Sequence, residues 1–420
     1  MQRFQGLIGI ALIFGIAFLF SNNRSRINYR VVFSGLLLQV MIAILVLKVP
    51  PVTKIFQFLG HGMEKIEQFA FKGASFVYDG IAIVKPGGNI GGYASGGFVF
   101  AFNVTATIIL VCALVAVFYH YGIMQRLVAA IAKAMNFVMR VSGAEALSNV
   151  ASAFVGQIEA QVMIQPYLPG MTKSELLASM SGSLACIAGG IMIVYANMGA
   201  QAGLDLAPKL IIASLMAAPG ALVISKIVWP ETEESQTMGK VKLQVKSQYT
   251  NVIDAISHGA GEGFKIAMNV IAMLIGFIAI IALLDYSLMK IGHLFNPHFD
   301  LSLNWIFGKI FYPFAWSMGV PAIDVDNAAT LLGQKLTINE FVAFKNLTSK
   351  AVPVVSEKGL LIVSIAICGF ANFSSVGMQI GGIGAIAPGR RADLARLGLR
   401  ALLCGTLASY LSATIAGILM

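Results

Sequence analysis

Charge is what this chain of 420 residues has least of: 29 basic and 19 acidic side chains make up 11% of it, against about 25% in an ordinary soluble domain. A water-soluble protein of this length needs a charged skin, and these residues are too few to make one. Cysteine is also scarce. Cys112, Cys186, Cys368 and Cys404 lie far apart inside apolar stretches without CxxC spacing, which excludes a disulfide framework and a thiolate zinc site. There is no HExxH, no Walker A motif and no GxSxG, so the zinc-protease, nucleotide-hydrolysing and serine-hydrolase constellations are missing. The expectation is a protein that is not an enzyme and needs no cofactor, and any transport it performs must draw on an ion gradient or run downhill.

What is present in quantity is apolar. Hydrophobic residues make up 57% of the chain and mean hydropathy is +0.81. Uncharged stretches run over 5–23, 31–47, 87–119, 176–204, 266–284, 359–389 and 401–420. A further stretch, 210–225, continues past Lys226, whose stem is long enough to snorkel. A helix crosses the hydrocarbon layer in about 20 residues, so eight spans are expected. The first is read as a retained helix rather than a signal peptide, because no small-x-small cleavage site precedes a hydrophilic region.

The formal charge of +10 does not point to nucleic acid, because the positive residues are concentrated in alternate loops. Arg24, Arg26 and Arg30 follow span one; Arg126, Lys133 and Arg140 follow span three; Lys226, Lys240, Lys242 and Lys246 lie at and beyond span five; Arg390, Arg391, Arg396 and Arg400 precede span eight. The positive-inside rule assigns these loops to the cytoplasm and both termini to the periplasmic side. The lysines of the long loop 48–86 run against the pattern, though long loops weigh less in this rule.

Between spans two and three, Phe56, Phe58, Met63, Ile66 and Phe69 alternate with Lys54, Glu64, Lys65 and Glu67. That pattern fits a helix lying in the membrane interface or a short helix packed on its own protein. The glycines at 87, 88, 91, 92, 96 and 97 lack the preceding strand of a dinucleotide fingerprint and read as a close-packing loop. Two regions fit neither a lipid-facing span nor a solvent loop. Residues 144–169 carry Gln157, Glu159, Gln161 and Gln165; residues 301–351 carry Asp324, Asp326, Asn339 and Glu340. Polar, irregular backbone at membrane depth is tolerated only inside protein or a watery cavity, so both read as re-entrant hairpins. Each precedes an interrupted apolar segment, with Gly189, Gly190 and Asn197 in one and Gly369, Asn372, Ser374 and Ser375 in the other. Hairpin, broken helix and intact helix in opposite orientations form an inverted repeat, with a binding site expected at the repeat interface.

Glu159 and Glu340 are then two acids at bilayer depth, where an ionised carboxylate needs a partner, a proton or a cavity. Gln157 and Asn372 can each donate and accept, and Ser375 can do either. A hydroxylated ring suits a carboxylate and a heterocyclic edge suits an amide. Phe341, Phe370 and Phe373 are candidate apolar walls. Asp324 and Asp326 have no third or fourth ligand beside them, so a metal pair there has little support.

The segment Gly333-Gln334-Lys335-Leu336-Thr337-Ile338-Asn339-Glu340-Phe341-Val342-Ala343-Phe344 resembles the GxKxxxNEFVA signature of the concentrative nucleoside transporter family. Gly369-Phe370-Ala371-Asn372-Phe373-Ser374-Ser375 and Phe154-Val155-Gly156-Gln157-Ile158-Glu159 resemble its other motifs, and the likeness runs through nearly the whole chain. The resemblance implies an all-α polytopic protein of the bacterial inner membrane with eight transmembrane helices, two re-entrant hairpins and interfacial helices, assembled as a homotrimer. It implies a scaffold over 1–119, a first transport repeat over 120–230, a loop with scaffold span six and an outer linker over 231–300, and a second transport repeat over 301–420, moving as an elevator. Gln157, Ile158 and Glu159 would face the nucleobase, and Glu340, Asn372 and Ser375 the ribose, with Phe370 also among the substrate-binding residues.

Three departures matter. Ile158 stands where the family usually has Thr or Ser. Ser152 and Cys186 stand where sodium-driven members have Asn and Ser, in a sodium site that falls here on Ser152, Val155, Cys186 and Ile187. Sodium wants oxygen and a thiol is a poor substitute, so the coupling ion stays open between the proton, with Glu159 or Glu340 as carrier, and sodium. Import of another small polar solute, or a channel, are the competing readings. The clustering of polar residues speaks against a continuous channel lumen.

Overall fold

The computed structural model describes residues 2–78, 100–238, 249–296 and 301–420, and all regular structure among them is helical. Helices α1 (Gln2–Leu19) and α2 (Tyr29–Lys48) form the first pair, with Asn28 accepting the Arg30 N–H at the start of α2. Helix α3 (Pro50–Tyr78) occupies the expected amphipathic stretch. It packs on α2 and leaves Phe58, Phe69 and Phe76 exposed, the apolar face an interfacial helix needs. The glycine-rich stretch 87–97 lies outside the described residues. Span three is α4 (Phe100–His120), and α5 (Ile123–Met139) leaves it at a bend of 77°. The turn is made by Gly122, at φ +70°, where a side chain would be strained.

Next come α6 (Gly143–Ser152) and the single-turn α7 (Glu159–Val162), then α8 (Lys173–Ala185), α9 (Gly189–Gln201) and α10 (Ala207–Val228). The long α11 (Val252–Phe295) is followed by α12 (Leu303–Ser317), α13 (Val325–Thr337), α14 (Glu340–Thr348), α15 (Glu357–Ile367), α16 (Phe373–Ile386) and α17 (Arg391–Leu419). The polar region 301–351 is therefore not one hairpin. The tight turn joins α13 to α14 at Ile338–Asn339, while α12 is a separate helix packed on α13 with Trp305, Ile310 and Tyr312 exposed. Pro321 and the Asp324 carboxylate, which accepts the Val355 N–H at 2.9 Å, end one element and tie the next to the start of α15.

All eight expected spans fall on helices. Among the described residues five stretches qualify by length and composition as membrane-crossing, and the bent α4–α5 pair makes a sixth. The other two are α1, whose qualifying apolar part is short, and α15–α16, which is broken. Burial separates centre from edge: 89% of the apolar window of α10 is buried against 6% at the end of α11. A helix apolar all round and buried all round belongs inside the bundle.

The two breaks, Cys186–Ala188 and Cys368–Asn372, cross. The Phe370 N–H donates to the Cys186 carbonyl at 3.2 Å. Gly369, at φ +134°, is so close to the Ala185 carbonyl that an added methyl group would collide with it. Only glycine meets both conditions. Asn197, expected to mark an interruption, sits instead inside α9.

The arginine-rich loops gather at one end of the bundle. The Asn22 N–H donates to Val228, Gly143 N–H to Thr237, and the Arg390 guanidinium to the Pro169 and Met171 carbonyls. Lys226 does not snorkel: its ammonium is buried and pairs with Glu145 at 2.7 Å. Glu145 and Glu175 each close a capping box, with Ser142 and Thr172. Two of the helix starts at this end are thus satisfied by their own capping boxes.

Candidate functional site

The site grows from helix α16. Its first N–H groups have no partner within the helix, and Asn372 supplies one: the Asn372 Oδ1 accepts the Ser375 N–H at 2.8 Å and the Ser374 hydroxyl at 2.7 Å. That fixes the amide, so Nδ2 faces the other way and donates to Glu340 Oε2 at 2.9 Å. Glu340 is placed by the same device in hairpin two. Asn339 caps α14 through the Val342 N–H, leaving Glu340 as the first helical residue. Its second oxygen, Oε1, accepts the Tyr195 hydroxyl at 3.2 Å. Tyr195 is held between Phe344, stacked at 4.4 Å, and Phe341 at 5.9 Å.

Glu340, Asn372 and Ser375 are therefore brought together, all buried. Each carboxylate oxygen has accepted one bond and retains a second lone pair. The Ser375 hydroxyl has no partner among the described residues. The Lys335 ammonium, in the last turn of α13, is fully buried without a hydrogen-bond partner among the described residues and interacts electrostatically with Glu340. Phe370 is half-buried at the break, Phe341 is buried on Tyr195, and Phe373 is exposed, so only the first of the three aromatic candidates lies where the helices cross.

Two turns further along α16, about 10 Å of axis, the first hairpin arrives. Gln379 donates through Nε2 to the Met180 carbonyl at 3.2 Å and to Gln157 Oε1 at 3.5 Å. Gln157 Nε2 has only the Met378 sulfur, at 3.9 Å. Ile158 lies so close over Gly382 that a methyl group there would collide with it. Glu159 departs from expectation: its side chain is exposed, and its carboxylate folds over Gly156, which has no Cβ to obstruct it.

The residues expected to hold sodium are buried together on α6, the hairpin tip and the first break, but their polar atoms are engaged. The Ser152 hydroxyl donates to the Ser148 carbonyl at 2.8 Å, so its 2.8 Å contact with Ser183 must be an accepted bond. Gln161 Nε2 donates to Ser183 and Ser148 at 2.8 and 3.0 Å, and Gln161 Oε1 accepts from Ser179 at 2.6 Å. Ser148 completes the set by donating to Ser179 at 2.6 Å. Every hydroxyl in this network donates once and accepts at least once. Cys186 turns its thiol toward the Asn149 carbonyl at 3.9 Å, and Val155 and Ile187 have only main-chain oxygens to offer. The Asp pair is separated: Asp324 binds the start of α15 and Asp326 is exposed.

Sequence reasoning missed three participants. Tyr195 gives no signal, because a tyrosine in an apolar run usually anchors an interface. Gln379 does give one: with Asn372 it is one of two amides inside the uncharged run 359–389, as conspicuous as Gln157. Lys335 was in plain view within the signature motif.

Comparison with known proteins agrees with this architecture. Family models described as "Na+ dependent nucleoside transporter C-terminus", "Na+ dependent nucleoside transporter N-terminus" and "Nucleoside recognition" match residues 209–417, 8–81 and 101–202. An uncharacterized transporter of Haemophilus influenzae is 39% identical over 100% of this chain and 98% of its own length. The nucleoside permease NupC of Helicobacter pylori is 36% identical over 98% of this chain and 96% of its own. The solved structure of CNTnw in an inward-facing substrate-bound state superposes with a TM-score of 0.91 at 39% identity, covering 100% of this chain and 98% of that one. A variant of CNTnw in an outward-facing state gives the same values. This chain, a multi-pass membrane protein and not an enzyme, belongs to the Na+-dependent nucleoside transporter family.

Proposed function

We propose that the chain imports nucleosides across the bacterial inner membrane by cation symport, holding the ribose at Glu340, Asn372 and Ser375 and the base at Gln157, Ile158 and Glu159. As a member of its family it is a secondary active transporter working by alternating access. The observation that carries the residue assignment is the Glu340 carboxylate. It is clamped by Tyr195 and Asn372, with two lone pairs still open beside the unpartnered Ser375 hydroxyl. Vicinal hydroxyls donate two hydrogen bonds from adjacent carbons, and a carboxylate flanked by a hydroxyl is their complement. Phe370 borders this end. The amides at the far end of the rail suit a heterocyclic edge.

With a thiol at Cys186, a sodium ion would have the carbonyls of Val155 and Ile187 and the one remaining lone pair of the Ser152 hydroxyl, a sparse oxygen set. These observations favour the proton, with Glu159 or Glu340 as its carrier. Sodium coupling through Ser152, Val155, Cys186 and Ile187 is the competing arm. The gathering of the arginine loops at one end supports cytoplasmic loops there and both termini on the periplasmic face. The exposed length of α11 supports a homotrimer of scaffolds over 1–119 and 231–300, against which the repeats at 120–230 and 301–420 move as an elevator.

Purified protein in liposomes, with an inside-negative potential and separately imposed inward proton or sodium gradients, tests this directly. Labelled uridine should accumulate under the proton gradient and be lost with a protonophore. Accumulation under sodium alone overturns the choice of ion, and none under either overturns nucleoside import.

A further inference from the structure

Gln379 belongs to no element of the expected site, yet it is fully buried where the two repeats meet. Its orientation is fixed. The Met180 carbonyl only accepts, so the nitrogen of Gln379 faces it at 3.2 Å, and the oxygen must point away. That Oε1 is buried and has no hydrogen-bond partner among the described residues. A buried carbonyl without a donor costs about 1 to 3 kcal/mol, and such an orphan calls for a partner supplied from elsewhere.

Gln157 opposite is in the complementary state. Its Oε1 receives the long 3.5 Å bond from Gln379, and its Nε2 has only a sulfur at 3.9 Å. The pair therefore offers a free acceptor on one amide and a nearly free donor on the other. At the neighbouring position the Ile158 side chain has no hydrogen bond to offer and is seated against Gly382. The polar capacity of this end of the rail has moved from the hairpin to α16.

We propose that Gln379 is a base-selecting residue: its Oε1 accepts a hydrogen bond from the edge of the nucleobase while Gln157 donates to the adjacent acceptor. The base enters by exchanging the 3.5 and 3.9 Å contacts between hairpin and helix for shorter bonds of its own. The substrate class that follows is any nucleoside whose base carries an N–H donor next to an acceptor, and a base without a donor is rejected. This inference rests on the nucleoside reading above.

The test uses three ribonucleosides that differ at this edge. Uridine carries N3–H and cytidine the 4-amino group. Pyrimidin-2-one ribonucleoside carries neither and is smaller than both, so rejection of it cannot be steric. Inhibition of labelled uridine uptake by each is measured in the wild type and in Gln379→Leu, with Gln379→Met as the length-preserving alternative if the leucine variant does not fold. In the wild type both donor-bearing nucleosides should bind at least about tenfold more tightly than the pyrimidin-2-one, the loss of one buried hydrogen bond. In the variant the three should fall within about twofold of one another, while the ratio of uridine to 3′-deoxyuridine is unchanged. A merely structural role for the Met180 contact would weaken all three equally and keep the tenfold ratio, which overturns the proposal. A wild type that binds 3′-deoxyuridine less well than uridine but shows no preference among the three bases also overturns it, without touching the nucleoside reading. Failure of every nucleoside to bind would instead remove that reading.

Discussion

The two hairpins each carry one glutamate, and the structure treats them differently. Glu340 in the second hairpin is 7% exposed, with both oxygens bonded and both bonding partners themselves fixed, Asn372 by the cap it makes and Tyr195 by two phenylalanine rings. Glu159 in the first hairpin is exposed and sits on a helix of four residues, folded over a glycine. A group held by partners that are themselves fixed is pre-organised and binds a ligand without the cost of ordering it first. On the reading proposed above, the fixed carboxylate of the second hairpin suits the ribose hydroxyls that all substrates share, and the first hairpin the base that differs between them.

Glu340→Gln tests the comparison at its strong end. It replaces charge-assisted bonds to two hydroxyls, each worth about 1.5 to 3 kcal/mol, so uridine uptake should lose at least about 100-fold in apparent affinity. Glu159→Gln should cost only about fivefold, since an exposed group is screened and more easily replaced by water. Equal losses in the two variants would erase the distinction. Tyr195→Phe removes one clamp but leaves Asn372, and should raise KM by about fivefold with the ratio of uridine to cytidine unchanged. The smallest expected effect is at Gly156→Ala, where an added methyl displaces a flexible carboxylate rather than backbone. A change of about threefold in base preference with unaltered melting temperature should appear, because surface-like substitutions usually stay within about 0.5 kcal/mol of the parent stability.

The sequence told much about architecture because the governing physics is coarse. Charge scarcity, run length and arginine asymmetry gave the helices, the shared end of the loops and the existence of two hairpins. It told less about hairpin two, where α12 was folded into the re-entrant region: an amphipathic helix with Trp305 and Tyr312 and a hairpin arm look alike in composition. At the site, Glu340 and Asn372 were legible because buried charge and helix caps leave marks in sequence. The exposure of Glu159 was not, since it depends on how a four-residue helix lies against Gly156. Tyr195 was invisible for the same reason: it reaches Glu340 only because α9 and α14 pack together across 145 residues of chain.

Equilibrium binding of uridine and 3′-deoxyuridine to the purified wild type and to Glu340→Gln tests the ribose assignment most directly. If Glu340 accepts the ribose hydroxyl, the wild type should bind uridine at least about tenfold more tightly than its 3′-deoxy analogue, and the variant should bind both within about twofold. The same tenfold ratio in both proteins would contradict it, because the hydroxyl would then be read by some group other than Glu340.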